Sequence, residues 1–88
     1  MLKLDLTKKA MAFLDKLPPK QFKQVSTKIF SLMANPQPND SKELKGYHYR
    51  RTDIGEYRII YQVEENVLKV ALVGKRNDSA VYKELVRL

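Results

Sequence analysis

The chain has no cysteine and only one histidine among its 88 residues. The first absence removes disulfides, thiolate nucleophiles and zinc–thiolate sites. A lone histidine, His48, cannot act as both acid and base, and it has no second histidine at metal-ligand spacing. The ten acids are scattered, with no spacing suited to a metal ion. Neither a glycine-rich phosphate loop nor a nucleophile elbow is found. Metal hydrolase, kinase and serine hydrolase chemistries are therefore poor fits, and no metal or cofactor is expected. No apolar run is long enough to span a bilayer. Residues 1–9 alternate and carry an early acid, unlike the apolar block of a signal peptide. A cytoplasmic protein without a membrane partner is expected, with residues 1–88 as a single domain.

Positive charge is what the chain has in excess. Lys and Arg number 17 against 10 Asp and Glu, for a formal charge of +7. Such an excess favours polyanions, because binding releases their condensed counterions, and it favours acidic protein partners for a related reason. Hydrophobic residues at 43% and charged residues at 31% fit a folded domain and not a disordered one. The two halves of the chain, split at Leu44, carry similar net charge. Where the charge concentrates must follow from strand geometry.

Leu2, Leu4 and Leu6 alternate with Lys3 and Asp5, which predicts a strand with one buried face. Thr7 can cap a helix in which Ala10, Phe13, Leu14 and Leu17 form one apolar stripe. Pro18-Pro19 ends that helix and opens a second, carried by Phe22, Val25, Ile29, Leu32 and Met33 and stopped at Asn35-Pro36. Such tightly joined helices predict an antiparallel hairpin. Residues 36–41 read as a polar loop. Leu44-Lys45-Gly46 leads into a strand that turns at Asp53-Ile54-Gly55. Residues 57–63 form the next strand, Glu64-Glu65-Asn66 a turn, and residues 67–73 a third strand, apolar enough near its end to be covered on both faces. Asp78 or Ser79 can cap a final helix in which Val81, Leu85 and Leu88 share a face. The fold class is α+β: an N-terminal strand, an antiparallel helical hairpin packed on a mainly antiparallel meander sheet, and a short C-terminal helix. The hairpin should cover one sheet face and leave the other for polar side chains.

Alternate strand residues share a face. Tyr57, Ile59, Tyr61 and Val63 should face the helices, so Arg58 points to the open side. Tyr49, Arg51 and Asp53 point one way and Arg50 and Thr52 the other, and strand register decides which set joins Arg58. An ion pair to Glu56 or to an acid on a neighbouring strand is the plain alternative for Arg58. It would be worth of order 0–1 kcal/mol. Gly74-Lys75-Arg76 closes the third strand. Tyr82, off the apolar face of the last helix, can anchor that helix, stack on a base or move a proton. His48 reads as a strand surface residue.

Leu44-Lys-Gly46, Gly55-Glu-Tyr-Arg-Ile-Ile-Tyr-Gln-Val63 and Val73-Gly-Lys-Arg76 with Val81-Tyr82 together resemble the RelE/ParE superfamily of bacterial toxin–antitoxin toxins, over almost the whole chain. RelE-like members enter the ribosomal A site and cut mRNA. ParE-like members instead inhibit DNA gyrase and usually lack the basic and aromatic set. By this resemblance Arg58, Arg76, Tyr82 and Arg51 match the catalytic set, and Tyr49, Lys75, Arg50 and His48 are expected at the substrate. Tyr49 departs from the family pattern, which has a second lysine there. The general base stays open among Tyr49, Tyr82, Lys75, His48 and a ribosomal group. The resemblance implies a metal-independent endoribonuclease that acts on mRNA at the ribosome. The basic surface implies an acidic antitoxin that folds on binding.

Overall fold

The computed structural model describes residues 1–77 and 80–86. A strand over Lys3–Leu6 (β1) enters a helix over Lys8–Asp15 (α1), and a second helix spans Pro19–Ala34 (α2). Four strands follow: Ser41–Glu43 (β2), Arg50–Ile54 (β3), Tyr57–Glu64 (β4) and Val67–Lys75 (β5). A helix over Ala80–Val86 (α3) comes last. The sheet order is β1-β5-β4-β3-β2, parallel only between β1 and β5. Among the described residues no helix is long and apolar enough to cross a membrane.

Thr7 caps α1 as expected. Its hydroxyl oxygen accepts from the Ala10 N–H at 3.1 Å and donates to the Ala71 carbonyl at 2.6 Å, so the cap also ties the helix to β5. Pro19 opens α2, where a missing N–H costs no helical hydrogen bond. Ala10, Leu14, Val25, Ile29 and Leu32 from the two helices bury against Ile59, Tyr61, Leu68, Val70 and Val73. The alternation read in β4 therefore holds for Tyr57, Ile59 and Tyr61, and Arg58 faces away from the hairpin. Val63, also expected toward the helices, is instead exposed, because it lies beyond the helical cover near the end of the strand. Tyr61 is fully buried and its hydroxyl donates to the Pro36 carbonyl at 2.6 Å, fastening the loop after α2. Tyr61→Phe is expected to cost about 1 kcal/mol, seen as a lower urea midpoint with unchanged slope.

Three expectations need correction. Residues 36–41 are not all loop, because Ser41 begins the edge strand β2, which pairs with β3. Three residues of sequence Ser-Lys-Glu carry little strand signal of their own, and pairing with β3 makes the strand. His48 and Tyr49 precede β3 and do not lie within it. The second sheet face is also not left open. Val81 and Leu85 of α3 bury against Ile60, Ala71 and Leu72, with Leu44 and Tyr49 beside them. A bulge explains how two consecutive residues of β5 join that cluster. Ile60 pairs with Leu72 and Tyr61 with Val70, so Ala71 is the extra residue and both it and Leu72 lie under α3. The expected cap at Asp78 or Ser79, and Leu88 on the helix face, lie outside the described residues.

Candidate functional site

Register decides what gathers on the α3 side of the sheet. Asp53 pairs with Arg58, Arg51 with Ile60, and Arg58 with Gly74. Arg51, Asp53 and Arg58 thus share one face, next to the helix that carries Tyr82. Gly74 makes that helix position possible: a Cβ there would lie 2.1 Å from Cγ2 of Val81. With glycine, α3 settles onto the sheet and the residue after Val81 reaches the arginine.

Arg58 is held through all three of its nitrogens. Its Nε donates to Oδ1 of Asp53 at 2.6 Å and its Nη2 to Oδ2 at 3.0 Å, a bidentate pair. Nη1 donates to the Tyr82 hydroxyl oxygen, and the guanidinium carbon lies 5.6 Å from the Tyr82 ring centroid. Nη1 of Arg51 stands 3.9 Å from the same Asp53 carboxylate. The Arg76 backbone N–H donates to the Glu56 carbonyl at 2.9 Å, which fixes the end of β5 beside the β3–β4 turn.

The Arg58 hydrogen bond holds the Asp53 carboxyl below the ordinary aspartate range. Partial burial opposes this, and the charges of Arg58, Arg51 and Arg76 add to it. The same hydrogen bond pushes Arg58 further up, again against desolvation, with the charge of Asp53 next. The guanidiniums of Arg58 and Arg51 therefore both approach one carboxylate, at 2.6 and 3.9 Å, with the charge of Arg76 adding to the field, which leaves net positive charge for a second anion.

The other expected residues are divided. Arg50 lies on the hairpin side, opposite Tyr61 in the register; its Nη2 donates to the Ser41 hydroxyl at 2.9 Å and its Nη1 lies 3.6 Å from Glu43. Lys75 pairs with Tyr57 and so sits on the hairpin side too, exposed. Neither joins Arg58, because strand alternation sends each to the face opposite its neighbour. His48, Tyr49 and Arg50 together line a cleft of about 710 Å³ with Glu43, Tyr47 and Gln62, further along the sheet from Arg58. Asp53 is the acid on a neighbouring strand that the plain alternative for Arg58 required, and the structure forms that ion pair, with Tyr82 on the same guanidinium. Its position opposite Arg58 depends on a register that alternation alone does not supply.

The family model described as the ParE toxin of type II toxin–antitoxin system, parDE, matches residues 4–80. The isolated RelE toxin of E. coli is similar at 28% identity and a TM-score of 0.77, over 99% of this chain and 97% of that one. A chain of the intact E. coli RelBE toxin–antitoxin complex is similar at 25% identity and 0.75, over 85% and 96%. A chain of the toxin–antitoxin complex RelBE2 from Mycobacterium tuberculosis matches in fold at 24% identity and 0.75, over 85% and 98%. No curated protein sequence matches the chain.

Proposed function

The chain belongs to the ParE toxin family of type II toxin–antitoxin systems, and from that premise we propose that it is a ribosome-dependent endoribonuclease that cleaves mRNA in the A site. The observation that carries this proposal is the gathering of Arg51, Arg58 and Tyr82 on one sheet face, with Asp53 between the two arginines and Tyr82 on Arg58. In the proposed reaction the RNA 2′-oxygen, losing its proton, attacks the adjacent phosphorus. The 5′-oxygen leaves and takes up a proton, giving a 2′,3′-cyclic phosphate and a 5′-hydroxyl end. Charge grows on the non-bridging oxygens. Arg58, with Arg51 and Arg76 near it, stabilises that charge as an oxyanion hole does. Arginine suits phosphate because its planar fork binds two oxygens at once. It is a poor base, because it stays protonated at any working pH. The Tyr82 oxygen accepts from Arg58, so the phenol's own proton is free to go to the leaving oxygen. Tyr49 and His48 line the cleft beyond, and in this proposal they stack on a flanking base.

So plain a site needs its substrate held in line for attack, and the ribosome supplies that positioning. The similarity to a RelBE complex and the charge of +7 support an acidic antitoxin as partner. The family description also names ParE, which gives a second reading: a gyrase inhibitor that cuts no RNA. Controlled expression without antitoxin, followed by mapping of transcript 5′ ends, separates them. Codon-phased cuts confined to translated messages are expected. Growth arrest with intact transcripts and relaxed plasmid DNA would instead support the gyrase reading.

A further inference from the structure

We propose that Asp53 makes the chain depend on presented RNA by occupying the phosphate seat of Arg58. The inference rests on the RNA-cleaving proposal for its substrate and on the ion-pair geometry for its device. One edge of that seat is taken in the structure: Nε and Nη2 of Arg58 are on the two Asp53 oxygens at 2.6 and 3.0 Å, and Nη1 is on Tyr82. A carboxylate offers the guanidinium fork the same pair of oxygens that a phosphate does, so the two compete for one edge. Arg51 leans on the same carboxylate at 3.9 Å, so the competition extends to the second cation.

The contest is unequal for RNA free in solution. Asp53 is tethered on the neighbouring strand and meets Arg58 at the effective concentration of an intramolecular partner. A phosphodiester arriving from solution has no such advantage. RNA held on a ribosome beside the bound protein does, and then competes on similar terms. The side chains differ in the right direction for Asp53 to be the one that yields. Its side chain is 30% exposed and can turn into water, whereas that of Arg58 is 14% exposed and held by Tyr82 as well.

The test compares the parent with Asp53→Asn for binding of inorganic phosphate and of a short fluorescent single-stranded RNA at one fixed ionic strength. Glu56→Gln, on the exposed β3–β4 turn, makes the same change in net charge and controls for simple attraction. Asp53→Asn should bind both probes on the order of tenfold tighter than the parent. Glu56→Gln should stay within about twofold, and adding Arg58→Ala to Asp53→Asn should abolish the gain. Asp53→Asn should also cut free RNA that the parent leaves intact. If Asp53→Asn loses its cooperative melt, the parent itself decides the matter in a phosphate titration followed at the Arg58 Nε–H resonance. That resonance should move as phosphate replaces the carboxylate. The proposal is overturned if folded Asp53→Asn binds no more tightly than Glu56→Gln, or if phosphate binds the parent without moving Arg58. Cleavage by the parent on ribosomes is scored separately. Its absence beside a clear gain in phosphate affinity would sink the nuclease proposal while the competition at Arg58 stood.

Discussion

Arg58→Ala is expected to slow A-site cleavage by roughly 10²–10³-fold, the loss seen when one preorganised oxyanion donor is removed. The substitution removes the fork that can grip two phosphate oxygens and the donor that orients the Tyr82 hydroxyl. The fold should survive it. Arg58 is on the α3 side of the sheet, outside the cluster formed by Tyr61, Leu32 and Ile59. Asp53 loses its bidentate partner but keeps Arg51 nearby and is partly exposed, so the stability cost should be on the order of 1–2 kcal/mol. Arg58→Lys should recover little of the rate, because an ammonium is a point charge and cannot span two oxygens. Single-turnover cleavage on programmed ribosomes, with a urea melt of each variant, checks both parts. Full activity in folded Arg58→Ala would remove Arg58 from the reaction.

Gly74→Ala is expected to be the most damaging single-methyl change. The new Cβ would stand 2.1 Å from Cγ2 of Val81, a short and buried side chain with little room to give. Relief requires α3 to lift from Ile60, Ala71 and Leu72, which takes Tyr82 away from Arg58. Overpacking of this kind costs about 1–3 kcal/mol. Activity should fall by about 10²-fold, because the candidate proton donor leaves the site. Adding Val81→Ala removes the clashing methyl groups. The double variant Gly74→Ala/Val81→Ala should therefore be more active than Gly74→Ala alone, the non-additivity expected of residues in contact. Equal damage in the single and double variants would mean that the helix seat is not set by this contact.

Much of this arrangement is legible in the sequence, and the remainder fails for definable reasons. Alternation along β4 places Tyr57, Ile59 and Tyr61 toward the helices and so turns Arg58 away from them, because period two needs only local information. The stripes of α1 and α2 are equally local. The choice between Arg50 and Arg51 is not, since it depends on pairing Arg51 with Ile60 across two strands. The same pairing sets Asp53 against Arg58, which alternation alone leaves open. The seat of α3 is harder still. It depends on a bulge at Ala71 and on the missing side chain of Gly74, and neither has a periodic signal. β2 is unreadable because three polar residues become a strand only through a partner.

The most direct test uses purified protein, ribosomes programmed with an mRNA and a vacant A site, and DNA gyrase with relaxed plasmid in a parallel reaction. Cleavage within the vacant codon is expected, leaving a 2′,3′-cyclic phosphate upstream and a 5′-hydroxyl downstream, with gyrase unaffected and no cutting when ribosomes are omitted. Intact mRNA on every ribosome complex, together with blocked supercoiling by the same preparation, would contradict a nucleolytic role for Arg58 and Tyr82.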